Sequence, residues 1–385
     1  MSTVPLDEPV GSRLGAPARS EKESRAFVAS QWQLIWWRFS EHKAAMISGV
    51  VVILIYLVAL FAEFVAPFTP DVVNAQYLYA PPQTLHLFDR RDGVKFAPHV
   101  LGYKSTVDAA AGRRTFTLDP EQFIPVSFFV KGEEYKFLGL FPMDRHLIGP
   151  KEAGQPMYLL GADRLGRDVL SRLVYGTRIS MSIGLVGVAI SLILGVLLGG
   201  MSGYYGGFVD NIIQRTIEFL RSIPTIPLWM GLAAALPPNW PPLRIYFGIT
   251  VILSLIGWTG LARVVRGRFL ALSAEEFVTA AELDGASDLR IITRYMAPSF
   301  LSHIIASTTL AIPAMILSET SLSFLGMGLQ PPLVSWGTLL KDAQSVRAVL
   351  QAPWLLWPAA AVVTSVLALN FLGDGLRDAA DPYSH

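Results

Sequence analysis

The chain has 385 residues, 52% of them hydrophobic and only 16% charged, and a mean hydropathy of +0.44. Soluble domains carry about 25% charged residues; the deficit here is gathered into long uncharged runs, which points away from a soluble enzyme. Lys plus Arg number 31 against 30 Asp plus Glu, a balance that rules out a broadly basic nucleic-acid binder. The absence of cysteine rules out a disulfide framework, a thiolate zinc site and a thiol nucleophile.

Residues 1–43 hold no apolar core before Ala44, so a cleavable signal peptide is not expected. An amphipathic helix on the membrane surface fits residues 24–43, with Trp32, Trp36 and Trp37 as interfacial aromatics and Arg38, His42 and Lys43 beside the first span. A bilayer core needs about 20 apolar helical residues. Uncharged runs at 44–62, 179–209, 222–243, 245–262, 295–318 and 348–373 therefore predict six membrane helices. The third run is interrupted by prolines 224, 227, 237 and 238. Asp210, Gln214, Glu218 and Arg221 precede it at helical spacing, which predicts one longer helix over about 210–236. Its charged stripe either faces a bundle interior or the membrane surface, or is an amphipathic entry turn. The positive-inside rule places the N-terminus in the cytoplasm, and six crossings return the C-terminus to that side. Arg263, Arg266, Arg268, Arg290 and Arg294, between the fourth and fifth spans, fall on the same side.

Residues 66–158 are too polar to span and too long for an ordinary connection. Ten Lys or Arg balance ten Asp or Glu there. Residues 126–130 and 135–141 around a turn at 131–134 predict a β-hairpin, 114–118 suggests a further strand, and 70–110 reads as irregular. Such an insert is a docking surface for an external partner or a cover over a pore mouth, or else a folded spacer.

Beyond it, Gly161 and Gly166 permit tight turns. Asp168 is placed to cap a helix that begins at Val169, expected as a separate amphipathic helix at the outer interface. In the loop before the fifth span, residues 275–283 predict a helix with Phe277 and Ala281 on one face. Gly285 stands in the position that ends such a helix. Ser287 is placed to cap a second short helix with Leu289, Ile292 and Met296 apolar, and Pro298 suits the first turn of the fifth span. Ala280, Ala281 and Gly285 are small enough for another protein's backbone to approach; the alternative is a plain amphipathic connector.

Within the spans, Glu319 at the end of the fifth is the most conspicuous charge. It either lines a cavity or is a buried partner of Ser or backbone groups. His303 reads as an interfacial histidine more readily than a proton site. Pro224, Pro227 and Pro313 suggest kinks. Gly184, Gly187, Gly195, Gly199 and Gly200 suggest close helix packing. No Gly-Lys dipeptide occurs, so there is no P-loop, and there is no HExxH. An ion-driven secondary transporter would call for inverted repeats and several midplane charges, and an intramembrane enzyme for a nucleophile–base pair; the sequence displays neither.

Several stretches together resemble the permease subunits of oligopeptide/dipeptide ABC importers, in particular the second, C-type permease of the pair. They are residues 160–180; Ser202-Gly203-Tyr204-Tyr205-Gly206-Gly207 with Asp210-Asn211; Thr279-Ala280-Ala281 with Gly285 and Pro298; Leu322-Ser323-Phe324-Leu325-Gly326; and residues 371–378. The resemblance covers roughly 30–66 and 158–382. It implies an all-α polytopic membrane protein of the bacterial inner membrane. Six helices of the type I ABC importer permease kind would carry a small β-containing extracytoplasmic insert.

The implied organisation is a cytoplasmic segment 1–43, a first membrane helix 44–65, the insert 66–158, a permease core 159–376 that includes a coupling loop 266–297, and a cytoplasmic tail 377–385. The implied partners are a sister permease, two ATP-binding subunits, an extracytoplasmic solute-binding protein and the lipid bilayer, with no nucleic acid. ATP and Mg belong to the partners, and this chain is expected to hold no cofactor or metal and to catalyse no reaction. Thr279, Ala280, Ala281, Glu282, Asp284, Gly285 and Ala286 would couple to the ATPases, and Glu319 is the candidate for the translocation path. Two departures stand out: Thr279 occupies the place of the family's leading Glu in the coupling loop, and the insert is longer than in the shorter family members.

Overall fold

The computed structural model describes residues 31–89, 94–108, 113–299 and 301–380. Apolar sequence becomes helix wherever the backbone can close its own hydrogen bonds. Helix α1 (Gln31–Glu41) precedes α2 (Lys43–Leu60) and the single turn α3 (Ala62–Val65). After the insert come α4 (Val169–Tyr205), α5 (Gly207–Ser222), α6 (Thr225–Ala234), α7 (Pro242–Leu272) and α8 (Glu276–Leu283). Then follow α9 (Leu301–Phe324), α10 (Trp336–Asp342), α11 (Val346–Gln351) and α12 (Trp357–Ala380). Helix α1 covers part of the expected surface helix, with Trp36 and Trp37 exposed; residues 24–30 and the Trp32 side chain lie outside the described residues.

Among the described residues, five helices are long and apolar enough to cross a membrane: α2, α4, α7, the 304–324 part of α9, and 353–379. The expected single helix over 210–236 is instead two helices, α5 and α6, broken at Ile223 and Pro224. A proline disfavours the helical conformation for the residue before it and lacks the N–H for the ladder, and Ile223 is extended at φ −88°, ψ 131°. The ten residues of α6 rise only about 15 Å.

Three other boundaries move. No separate helix precedes the second span: α4 runs unbroken through 37 residues, about 55 Å. Arg178, just before the second uncharged run, is neutralised by a partner. Arg178 pairs with the Glu63 carboxylate and donates to the carbonyls of Ala59 (2.8 Å) and Leu60 (2.9 Å). Helix α9 continues past Glu319 by more than a turn. Helix α12 starts only after the Pro353–Leu356 turn and runs to Ala380, into the stretch expected as a tail. The remaining tail residues lie outside the described residues.

Glycines set the spacing of the bundle. Helix α4 packs along α7 and against α9. A Cβ added at Gly199 would lie 2.5 Å from the carbonyl oxygen of Ala262, and one at Gly184 would lie 2.8 Å from Ile316. Such contacts hold only while these positions carry no side chain.

The insert forms a four-stranded antiparallel sheet in the order β1 (His86–Asp89), β2 (Lys95–Asp108), β3 (Arg113–Phe137), β4 (Phe141–Pro150). The first half of β3 pairs with β2 and the second half with β4. The expected hairpin thus exists with a different register. Residues 131–134 form a bulge within β3, and the reversal sits at 138–140, where Leu138 and Gly139 take positive φ. Residues 70–110, read as irregular, contain β1 and β2. Their aromatic residues fill the insert's own core: Tyr103 and Phe116 pack with Tyr77 and Tyr158.

Candidate coupling site

The exposed ridge after α7 is built on a buried seat. Helix α8 turns Val278 (0% exposed) and Ala281 (4%) inward, onto Val265 and Phe269 of α7, Ile304 of α9, and Ile291, Ile292 and Met296. The buried face is therefore Val278 with Ala281, one turn apart, and not Phe277 with Ala281; Phe277 is 39% exposed. Ala281 is consequently spent on the seat and offers nothing to an outside partner. Thr279, Ala280, Glu282, Asp284 and Gly285 are exposed and Ala286 is half-buried.

Gly285 ends α8 at φ +73°, where its N–H donates to Glu282 O (3.0 Å) and the Ala286 N–H to Ala281 O (3.0 Å). That left-handed conformation suits glycine. Ser287 provides no side-chain cap to Asp288–Arg290; its carbonyl accepts from Ile291 N–H at 2.9 Å. The chain then winds as a π-helix over Ile291–Met296.

Polar contacts join the ridge to α4. The Tyr204 hydroxyl donates to the Glu282 carboxylate (2.7 Å), and the Tyr205 hydroxyl to Asp288 (2.7 Å). Helix α5 is tied to the same end of the bundle, where Arg266 grips Asp210 through Nε–Oδ1 and Nη2–Oδ2, both 2.5 Å. Ser202 also donates to Asp210 (2.5 Å), and Gln214 to Ser202 (3.1 Å). Asp210 and Gln214 thus face α4 and α7, whereas Glu218 pairs with Arg215 at the surface.

Two residues that sequence reasoning left off the ridge are Leu283 (84% exposed) and Leu289 (62%), which flank the Gly285 turn. An apolar residue beside a helix-ending glycine was the available signal. Its outward direction becomes visible only once Val278 and Ala281 are known to be the seat.

Glu319 is elsewhere and fully enclosed, 0% exposed. Its carboxylate accepts from the hydroxyls of Ser323 (2.7 Å), Ser335 (2.7 Å) and Ser180 (3.3 Å). Ser180 in turn accepts from the Trp336 N–H at 3.0 Å. This arrangement fastens α9 to α4 and to the start of α10, and it matches the buried-partner alternative. The His303 side chain lies outside the described residues.

At the insert end of the bundle, Asp163 accepts from Arg167 Nε (2.7 Å) and Arg172 Nη1 (2.5 Å), and Arg172 also reaches Asp342 (3.2 Å). Asp168 caps α4 through Ser171 N–H (2.7 Å) and Oγ (2.6 Å). Burial pushes its carboxyl up to about 7, against the opposing pull of the Ser171 hydrogen bonds. Among the described residues, no group of three or more His, Cys, Asp or Glu is arranged to hold a metal.

Comparison with known proteins agrees with this architecture. Residues 195–383 match the profile of the binding-protein-dependent transport system inner membrane component. Residues 30–82 match the N-terminal TM domain of oligopeptide transport permease C. The dipeptide transport system permease protein DppC of Bacillus subtilis is 40% identical over 58% of this chain and 68% of its own length. The oligopeptide transport system permease protein OppC of Haemophilus influenzae is 40% identical over 62% and 75%, and OppC of Bacillus subtilis is 28% identical over 99% of both chains. An inward-facing structure of the MetNI methionine ABC transporter aligns with a TM-score of 0.42 at 18% identity, over 54% of this chain and 96% of that one, too loosely to carry a structural argument. The chain therefore belongs to the family of inner membrane components of binding-protein-dependent transport systems, with the N-terminal domain of the oligopeptide permease C branch.

Proposed function

We propose that this chain is one permease subunit of an ATP-driven ABC importer, forming the solute path with a sister permease. The observation that carries this is the seated ridge: a short helix whose inner face is locked to α7, α9 and α4 and whose outer side presents Phe277 and Leu283, with Leu289 exposed just beyond the Gly285 turn. A helix so mounted transmits a push from a partner to the bundle as a rigid lever, because packed elements repack between discrete states more easily than they deform. Two ATP-binding subunits grip the ridge, an extracytoplasmic solute-binding protein delivers the solute, and ATP closure rocks the two permeases between outward- and inward-open states.

In this reading α5 and α6 together make the remaining crossing, so that there are six. Both termini and the ridge are cytoplasmic and the insert is outside. The arginine-rich 263–294 region supports that orientation. Protease added to sealed right-side-out vesicles then cuts within 66–158; cutting only from the cytoplasmic face reverses the topology.

The solute class proposed is peptides, the class named for the relatives DppC and OppC. The alternative is an opine, an oligosaccharide or a metal chelate carried by the same machinery. The test is reconstitution of the chain with its co-purified subunits and measurement of solute-stimulated ATP hydrolysis and uptake. Stimulation by di- or tripeptides supports the peptide reading, and stimulation only by another of these solute classes replaces it.

A further inference from the structure

The tip of the β3–β4 hairpin carries seven consecutive uncharged residues, Phe137-Leu138-Gly139-Leu140-Phe141-Pro142-Met143. Among the described residues nothing covers most of them: Leu140 is 73% exposed, Phe141 61%, Leu138 45% and Met143 41%. A contiguous apolar surface of this kind marks a place of contact with something apolar.

The contacts of the hairpin fix where the tip lies. His146 Nδ1 meets the Ala66 carbonyl at 2.6 Å. The Phe129 ring lies 5.9 Å from that of Phe64, and Phe137 stacks on Phe61 at 5.8 Å and 21°. His146 and Phe129 lie on adjacent rungs midway along the hairpin, beside Ala66 and Phe64, whereas Phe137 closes its tip beside Phe61, at the end of α2. The hairpin thus points along α3 towards the membrane-crossing helix. The tip adjoins the exposed row of Leu57, Leu60 and Phe61 at the end of α2, a membrane-length helix with only 22% of its residues buried within this chain.

We infer that this hairpin tip is a membrane anchor, seated at the headgroup–acyl boundary of the leaflet beside the end of α2. The occupant is lipid because the patch continues the exposed surface of the membrane-length α2 without an intervening charge. Leu138, Leu140, Phe141 and Met143 enter the acyl region. Lys136, exposed at the base of the tip, lies at headgroup level, where a long cationic side chain can keep its charge hydrated while its stem is covered. The anchor ties the insert to the membrane at one edge, while at the other the Tyr79 N–H donates to the carbonyl of Asp163 (3.0 Å), whose carboxylate is held by Arg172 of α4. The inference requires only that α2 crosses the membrane; it stands whichever face bears the insert and whatever solute is carried.

The chain has no cysteine, so single nitroxide labels can be placed cleanly. Leu138→Cys, Leu140→Cys and the exposed strand control Glu121→Cys are labelled, and the chain is reconstituted with its co-purified subunits in phosphatidylethanolamine/phosphatidylglycerol liposomes. Collision with oxygen, which partitions into lipid, is compared with collision with a water-soluble nickel chelate. The expected oxygen-to-nickel accessibility ratio at 138 and 140 is several-fold above that at 121. Nickel access at the tip equal to that at 121 places it in water and overturns the inference. Exclusion of both reagents places it under another protein, which also overturns it.

Discussion

Truncating Leu283 and truncating Ile292 should separate what the ridge does from what holds it. Leu283 is 84% exposed, so Leu283→Ala removes almost nothing that the fold has buried. Its expected effect on stability is within about 0.5 kcal/mol. Ile292 is 1% exposed, packed in the seat with Val265 and Phe269, and its Cγ2 stands 2.9 Å from where a Cβ on Gly200 would be. Ile292→Ala deletes three buried carbons, about 2.4 kcal/mol at roughly 0.8 each. The cavity left behind raises the loss to about 3–4 kcal/mol. In a partner's groove, by contrast, a buried leucine contributes about 1.5–3 kcal/mol, roughly a ten- to hundredfold factor in docking. The assay is thermal unfolding of the purified chain in nanodiscs, beside ATPase-subunit affinity and solute uptake in the reconstituted complex. Leu283→Ala should keep the melting temperature and lose at least about tenfold in affinity for the ATPase subunits, whereas Ile292→Ala should lose the melting temperature first. Wild-type affinity and uptake in Leu283→Ala would refute the assignment of that exposed face to a partner.

Three further outcomes follow from the geometry. Gly285→Arg meets nothing within 4 Å of its Cβ and costs about 1–2 kcal/mol in backbone strain at φ +73°, so the protein should still insert, detected by membrane fractionation, while uptake is abolished; normal uptake would count against the ridge. Gly199→Ala sets a Cβ 2.5 Å from the Ala262 carbonyl, an overpacking of about 1–3 kcal/mol that outweighs the propensity gain of alanine, so it should lower the melting temperature, whereas Gly231→Ala, with open space around it, should gain up to about 1 kcal/mol. The Asp168 carboxyl, raised to about 7 by burial, binds its proton more tightly folded than unfolded, so its contribution to stability is fully present below about pH 4 and is lost as pH rises to about 7, at up to about 1.4 kcal/mol per unit. Asp168→Asn keeps a capping side chain and should flatten that slope in pH-resolved melting curves; an unchanged slope would remove Asp168 as its source.

Where sequence reasoning worked, one local rule dominated. Uncharged runs had to become helices because nothing else satisfies a backbone in lipid. Gly285, Asp168 and the α4 glycines were legible because their demands are stereochemical: a positive φ, a cap, a missing Cβ. Where reasoning went astray, distant partners decided. Arg178 bounds the second uncharged run, yet the Glu63 carboxylate lets the helix run on through it, and Arg172 further up the same helix is held by Asp163 and Asp342. For Glu319 the sequence leaves a cavity-lining charge and a buried partner of serines both open, and only the fold brings in the three serine hydroxyls that decide for the second, one of them from α4. Prolines 224 and 227 suggest a kink within one helix, but the helix breaks at Ile223 and Pro224. In the insert, alternation marked strands without fixing register, because a bulge at 131–134 and a turn at 138–140 are both compatible with the same pattern.

The most direct test of the account is uptake by proteoliposomes of defined composition. The account predicts uphill, ATP-dependent accumulation of solute when this chain is present with its sister permease, both ATP-binding subunits and the binding protein, and none when the ATP-binding subunits are omitted. Uphill accumulation by vesicles holding this chain without any nucleotide-hydrolysing subunit would contradict it.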